Sequence, residues 1–71
     1  MKICVIGLGY VGTVVAACLA RLGHQVVGVD TQQSKVDLLN AGKAPIVEKD
    51  IDSVVAEQVR AERLAATTVP T

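Results

Sequence analysis

Three glycines near the start of the chain have the spacing of a loop that holds phosphate. Gly7, Gly9 and Gly12 fit the pattern G-x-G-x-x-G, after an apolar run and before a helical pattern. Gly7 permits a tight turn, Gly9 removes a Cβ where phosphate approaches the backbone, and Gly12 lets a helix press on a strand. Tyr10 and Val11 offer first-turn amides at the positive end of the helix dipole. The loop therefore predicts a pyrophosphate site that needs no lysine.

An acidic residue follows the loop at the distance that dinucleotide-binding folds use. Asp30 ends the next apolar run, about 20 residues after the loop. A carboxylate there accepts hydrogen bonds from the adenosine ribose hydroxyls and repels the additional phosphate of NADP. The two features together predict NAD as the cofactor, with FAD as the alternative because flavoproteins share the glycine pattern. The competing interpretation is that the glycines only make a turn and Asp30 only caps the next helix.

Four other side chains could carry chemistry, and the sequence assigns none of them a catalytic or metal-binding role. Lys35 lies close to Asp30 in the chain, but most lysines are solvated, so the residue type alone favours an exposed position. His24 has no Cys or Ser partner at a usable spacing. Cys4 and Cys18 fall within apolar elements without C-x-x-C spacing, so we expect buried, reduced and unreactive thiols.

Three apolar runs indicate the strands that would position the loop and the acid. They span Lys2 to Ile6, Gln25 to Val29 and Leu64 to Val69, and the first has the near-continuous apolar character of a strand buried on both faces. Helical patterns fill the intervals and give the order β-α-β-α-α-β. The predicted fold class is α/β, a partial Rossmann fold with a three-stranded parallel sheet.

The first helical segment carries its apolar residues at intervals of three and four. We expect the larger ones to form one stripe that packs on the sheet: Val11, Val14, Val15, Cys18, Leu19 and Leu22. Smaller residues between them would let helix and strand approach closely: Gly12, Ala16, Ala17 and Ala20. A second helix, capped by Thr31 or Ser34, runs through Asn40. Asp50 begins a third.

The composition limits both the size of the core and the classes of partner. The 71 residues include seven basic and seven acidic side chains, so the chain lacks the cationic surface that nucleic acid requires. No apolar run reaches the length of a membrane span, and the expected compartment is the cytoplasm. Complete dinucleotide-binding domains have about five or six strands, and this chain has room for about three. We therefore expect residues 1–71 to be the N-terminal part of an NAD-binding Rossmann domain.

Part of the chain resembles one family of enzymes. The string from Val5 to Gly12, followed by Val29-Asp30 and Lys35, is similar to the N-terminus of the UDP-glucose/GDP-mannose dehydrogenase family. The pair Tyr10-Val11 within the glycine loop is the specific part of this resemblance.

The resemblance continues beyond the second helix. Residues 39–48 are similar to the family's segment N-x-G-x-x-P-I-[YV]-E, and Val47 favours the GDP-mannose branch. The chain departs from the family pattern at residues 48–51, and at Glu62, where glycine is common.

What the resemblance implies is an enzyme that oxidises the C6 alcohol of GDP-mannose or UDP-glucose to a carboxylate while reducing two NAD. It implies cofactor contacts at four positions: Tyr10, Val11, Asp30 and Lys35. The family's catalytic cysteine has no counterpart before residue 71, so the chain alone is expected to be inactive, and the full-length enzyme to be a homo-oligomer. The alternatives are a non-catalytic NAD-binding module, a non-functional remnant, or another Rossmann dehydrogenase class such as the hydroxyacid dehydrogenases, against which Tyr10-Val11 argues.

Overall fold

Six elements follow one another in the order predicted from the sequence. The computed structural model describes residues 1–44 and 49–69, with only the backbone of Lys49. The elements are β1 (Lys2–Ile6), α1 (Tyr10–Arg21), β2 (Gln25–Val29), α2 (Gln33–Asn40), α3 (Lys49–Arg60) and β3 (Leu64–Thr67). The third strand ends at Thr67, two residues before its predicted end. Residues 45–48, which include the Val47 that favoured the GDP-mannose branch, lie outside the described residues.

The three strands form one parallel sheet in the order β1-β2-β3, which confirms the predicted fold class. Lys2 pairs with Gln25 and Val26 pairs with Leu64, so β2 lies in the middle with a partner on each side. Parallel strands bring their carboxyl ends to the same edge of the sheet. The glycine loop after β1 and Asp30 after β2 therefore lie side by side.

The two faces of the sheet differ in burial. Right-handed crossovers between strands in the order β1-β2-β3 place all of the connecting helices on one face. On that face Val26 and Leu64 are buried against the helices. On the other face Cys4 and its register partner Val27 are exposed. The predictions that β1 is buried on both faces and that Cys4 is buried are therefore wrong, because none of the described helices covers this second face.

Helix α1 turns a different side toward the sheet than its large apolar residues predicted. Its buried residues are all small: Thr13, Ala16, Ala17 and Ala20. Val11 and Leu22 are 73% and 75% exposed, and Cys18 is exposed as well. The glycine loop folds α1 directly back onto the sheet, and only short side chains fit between elements this close. The small-residue contact is thus confirmed. Of the predicted stripe, Leu19 is partly buried and packs against the core, but Val11, Val15, Cys18 and Leu22 are exposed, so the stripe as a whole and the buried Cys18 are wrong.

Two features complete the fold around β3. The side-chain amide of Asn40 donates to the carbonyl of Ala66 at 3.0 Å and accepts from the amide of Ala66 at 2.8 Å, so it pairs with the outer edge of this strand. Glu62, in the turn before β3, has a φ of 61°. This left-handed conformation suits glycine, which explains why glycine is common there in the family, and Glu62 adopts it in spite of the steric penalty from its Cβ.

Neither a membrane span nor a metal cluster is present in the part of the chain that the structure describes. No helix among residues 1–44 and 49–69 is both long and apolar enough to cross a bilayer. No group of three or more His, Cys, Asp or Glu side chains in those ranges is arranged to hold a metal ion.

Candidate functional site

The glycine loop turns sharply out of β1 and leads at once into α1. Gly7 has a φ of +91°, in the region that only glycine adopts without a steric penalty from Cβ. Its amide donates to the carbonyl of Val29 at 2.7 Å, which holds the start of the loop against the end of β2. Gly9 is the N-cap of α1, and its carbonyl accepts the first helical bond from the amide of Thr13 at 2.9 Å.

Gly12 and Gly9 show why two further glycines are needed, for opposite reasons. An ideal Cβ on Gly12 would overlap the carbonyl oxygen of Gly7 and lie 2.9 Å from its carbonyl carbon. Gly12 therefore packs mainly against the loop, while Val5 of β1 lies at an ordinary 3.7 Å. A Cβ on Gly9 would meet no atom of the described residues within 4 Å, apart from its chain neighbours. The space beside Gly9 is open to a ligand.

The first turn of α1 is suited to receive an anion. The first four amides of an α-helix have no carbonyl of their own helix to bind, and the dipole adds a partial positive charge there. No acidic side chain lies in this first turn to occupy that position. The side chains of Tyr10 and Val11 are 58% and 73% exposed, so both residues lie at the surface beside the loop.

Asp30 is tied to the glycine loop through its carboxylate. Its Oδ2 accepts from the amide of Leu8 at 2.8 Å, and its Oδ1 accepts from the amide of Gln32 at 2.9 Å. Gln32 is itself the N-cap of α2, without a side-chain cap bond, so Asp30 does not cap that helix as the competing interpretation expected. The predicted cap at Thr31 or Ser34 is wrong as well. The bond to Leu8 goes beyond that interpretation, because it joins the acid to the glycine loop.

The same contacts keep Asp30 ionised. The hydrogen bond from the Gln32 amide, then that from Leu8, lower the pKa of the carboxyl group, and the charge of Lys35 adds to this. Partial burial acts in the opposite direction without reversing the shift. A carboxylate has about four acceptor positions. The two amides occupy two of them, which leaves acceptors for the paired hydroxyls of a ribose.

Lys35 comes close to Asp30, as its position in the chain indicated. Its Nζ lies 3.9 Å from Oδ2 of Asp30, and its side chain is 32% exposed. An ion pair this long and this exposed contributes little to stability. Because the Lys35 side chain is partly exposed and its Nζ lies near Asp30, it is placed to reach a ligand that binds there.

Similarity to known proteins identifies the family. Residues 1–71 match the model of the UDP-glucose/GDP-mannose dehydrogenase family, NAD binding domain. The chain belongs to this family. The match confirms the predicted resemblance, and it confirms NAD as the predicted cofactor.

Individual members of the family agree with this match. The chain is 52% identical over 68 residues to GDP-mannose 6-dehydrogenase of Azotobacter vinelandii, covering 96% of this chain and 16% of that protein. It is 50% identical, with the same coverage, to a UDP-glucose 6-dehydrogenase of Haloferax volcanii. The chain thus spans about a sixth of the length of these relatives.

Solved structures of dehydrogenases have the same fold over this segment. A ternary complex of GDP-mannose dehydrogenase from Pseudomonas aeruginosa matches with a TM-score of 0.93 and 47% identity, covering 96% of this chain and 16% of that one. The UDP-N-acetyl-mannosamine dehydrogenase of Staphylococcus aureus matches with a TM-score of 0.94 and 34% identity, covering 99% and 17%. These likenesses agree with the partial Rossmann fold predicted from the sequence.

Two residues of the candidate site, Leu8 and Thr13, were not predicted from the sequence. Leu8 is fully buried, and a Cβ on Gly28 would come within 2.5 Å of its Cδ2. The hydroxyl of the buried Thr13 donates to the carbonyl of Leu8 at 3.1 Å. A signal for Thr13 was present, because it is the one polar residue among alanines at helical spacing, a position where a hydroxyl needs a partner.

A shallow cavity adjoins these residues. It measures about 180 Å³ and is lined by residues at the carboxyl ends of β1 and β2: Ile6, Gly7, Val29, Asp30 and Thr31. The carboxyl ends of the strands are where open α/β sheets bind their ligands. The cavity therefore extends the candidate site from the glycine loop past Asp30.

Proposed function

We propose that residues 1–71 are the N-terminal part of the NAD-binding Rossmann domain of a nucleotide-sugar dehydrogenase. The observation that carries this proposal is the 2.8 Å bond between the Asp30 carboxylate and the Leu8 amide. It places an ionised acceptor for ribose hydroxyls directly beside a loop suited to pyrophosphate. The geometry therefore fits an adenosine diphosphate group, the part that NAD shares with other dinucleotides.

Each candidate residue has a definite task in this proposal. Gly7 and Gly12 shape the loop, Gly9 leaves room for the pyrophosphate, and Tyr10 and Val11 direct their amides at it. Bound in this way, NAD supplies the hydride acceptor of the reaction.

The adenosine side of the cofactor is assigned to the strand ends. Asp30 accepts from the ribose hydroxyls, and Lys35 contacts the same side of the cofactor from α2. The cavity lined by Ile6 and Val29 holds the adenosine. A 2′-phosphate in this position would face the ionised carboxylate of Asp30, so we expect NAD to bind more tightly than NADP.

The whole protein is proposed to act on a nucleotide sugar. Its relatives are named as dehydrogenases of GDP-mannose and of UDP-glucose, and Val47 together with the 52% identity to a GDP-mannose 6-dehydrogenase favours GDP-mannose. Oxidising a C6 alcohol to a carboxylate removes two hydrides and adds the oxygen of one water, so two NAD are reduced for each sugar. We propose that residues beyond position 71 supply the nucleophile and that the full-length enzyme is a homo-oligomer.

Substitution at Gly9 gives the sharpest test of the cofactor site. Because its φ is −75° and the space around it is open, Gly9→Ala can fold without strain. A methyl group there would obstruct only a ligand. We expect the melting temperature by circular dichroism to stay close to that of the unaltered chain, and the affinity for NAD by calorimetry to fall about tenfold or more.

Controls separate this result from a general disturbance. Val15→Ala changes a side chain on the outer side of α1 and should leave NAD affinity unchanged within about twofold. FAD should bind more weakly than NAD to the unaltered chain. If Gly9→Ala folds normally and binds NAD as well as the unaltered chain does, the pyrophosphate does not lie on this loop.

The assignment of catalysis to residues outside this chain is tested by activity. The 71-residue chain, mixed with NAD and either GDP-mannose or UDP-glucose, should give no NADH absorbance. Turnover by the chain alone would show that its own residues perform the oxidation.

A further inference from the structure

Leu8 is held at three points and connects the two halves of the proposed cofactor site. Its amide donates to Asp30, its carbonyl accepts from Thr13, and its side chain is fully buried. The residue at the centre of the loop is therefore fixed by contacts from α1 on one side and from the end of β2 on the other.

The bond from Thr13 also sets the direction of the next amide. In a trans peptide the C=O and N–H groups point in opposite directions. The Thr13 hydroxyl holds the carbonyl of Leu8 toward α1, so the amide of Gly9 in the same peptide faces away from the helix. A Cβ on Gly9 would also meet no atom of the described residues within 4 Å apart from its chain neighbours, so there is room for a ligand beside this residue.

We propose that Thr13 is a positioning residue for the dinucleotide. This inference rests on the proposed function of the glycine loop and Asp30. Without touching the ligand, the buried hydroxyl orients the Leu8-Gly9 peptide, and through Leu8 it helps to aim the carboxylate of Asp30. The pyrophosphate site and the ribose site are thereby coupled through a single residue.

The surroundings of Thr13 favour an orienting role over simple packing. The other buried positions on this face of α1 are alanines: Ala16, Ala17 and Ala20. Burying a hydroxyl among them is unfavourable unless it is hydrogen-bonded, and an apolar residue would pack there without that requirement. What the hydroxyl adds is the bond to Leu8.

The test compares two variants that differ in the hydroxyl. Thr13→Val keeps the shape of the side chain and removes the donor, whereas Thr13→Ser keeps the donor. Calorimetric titration of the 71-residue chain with NAD, well below the melting temperature, should show affinity about three- to tenfold weaker for Thr13→Val. Thr13→Ser should bind within about twofold of the unaltered chain, a rescue that a purely structural role does not require.

A double-variant cycle tests the coupling through Leu8. If Thr13 and Asp30 act through this shared residue, the loss in Thr13→Val combined with Asp30→Asn is smaller than the product of the two separate losses. Independent losses that multiply would show that Thr13 does not act on Asp30.

Other outcomes separate the inference from the function on which it rests. If the unaltered chain binds NAD and Thr13→Val binds it equally well, the positioning role is overturned and the cofactor site stands. If the unaltered chain does not bind NAD, the proposed function fails, and the inference fails with it.

Should Thr13→Val not fold, NMR of the unaltered chain decides. The Thr13 hydroxyl proton should be protected from exchange and the Gly9 amide resonance should shift with NAD, and an unprotected hydroxyl would overturn the proposal.

Discussion

The loop end of the sheet and the outer surface of α1 lie next to each other and are built in opposite ways. At the loop end, the Leu8 amide, the Asp30 carboxylate and the Thr13 hydroxyl all have hydrogen-bond partners within the chain. On the outer surface of α1, Val11 and Leu22 expose about three quarters of their side chains. The chain thus completes the contacts of its glycine loop but leaves apolar surface uncovered.

The difference follows from how far apart in the sequence the contacting residues of each region lie. The side-chain hydrogen bonds at the loop end join residues no more than 22 positions apart, so a single β-α-β unit contains these partners. Covering the outer side of α1 and the Cys4 face of the sheet requires packing elements that none of the described residues provide. Hydrogen bonds within one β-α-β unit can therefore hold the glycine loop in place even though part of the apolar surface of the chain stays exposed.

Substituting Gly12 should have the largest effect, because it disturbs the region whose contacts are complete. A methyl group there overlaps the carbonyl oxygen of Gly7, which is backbone and cannot move aside cheaply. We expect Gly12→Ala to lose measurable NAD binding and to lower the free energy of unfolding by about 1–3 kcal/mol. Urea unfolding and NAD titration measure the two effects, with Val15→Ala as the control in the same helix. Normal NAD binding by Gly12→Ala would mean that the loop tolerates displacement.

A smaller loss of stability is expected at the outer edge of β3, where the side chain of Asn40 bonds to the strand backbone. Asn40→Ala removes both hydrogen bonds to Ala66 and should lower the free energy of unfolding by about 1–2 kcal/mol, since the pair is solvent-exposed. Asn40→Asp keeps an acceptor for the Ala66 amide but loses the donor to its carbonyl, so its urea midpoint should lie in between. Equal midpoints for all three chains would show that water replaces the side-chain amide fully.

Protonation of Asp30 should weaken the loop end only under acidic conditions. Its pKa is lowered in the folded chain, so its contribution to stability is present above the ordinary value of about 3.9 and is lost as the pH falls through the lowered value. NAD affinity should stay constant from about pH 7 to about pH 5 and fall only at pH values below the ordinary pKa of about 3.9. Asp30→Asn should abolish this acid-dependent loss. A loss between pH 7 and pH 5 in the unaltered chain would indicate that a different group titrates.

The sequence predicted those parts of the site that depend on local spacing. The positions of Gly7, Gly12 and Asp30 carry their own physical reasons, namely a left-handed turn, a close backbone contact and an acid at a strand end. The strand bounds followed from apolar runs, with the third strand two residues too long. The cofactor contact of Tyr10 followed from its place in the first turn of α1 and from the family resemblance, and that of Lys35 from the resemblance alone; both stay predictions.

The errors have a common cause in the packing between elements. Helical periodicity showed that α1 has an apolar side, but both its large and its small residues recur at that spacing. The short connection through the glycine loop decides in favour of the small ones, which turns Val11 and Cys18 outward. The bond from Thr13 to Leu8 depends on the same close approach, and for that reason the sequence pattern alone did not reveal it.

The smallest effect on stability is expected on the exposed side of α1. A substitution there tests directly whether this side, unlike the loop end, lacks contacts within the chain. Leu22 is 75% exposed, so Leu22→Lys should change the free energy of unfolding by no more than about 0.5 kcal/mol. It should nevertheless reduce self-association, since exposed apolar surface favours contact between copies and an added charge opposes it. Sedimentation velocity over a range of concentrations measures this, and Arg21→Lys is a control that leaves the apolar surface intact. A large loss of stability in Leu22→Lys would show that this side of the helix is packed within the chain, and the contrast with the loop end would no longer hold.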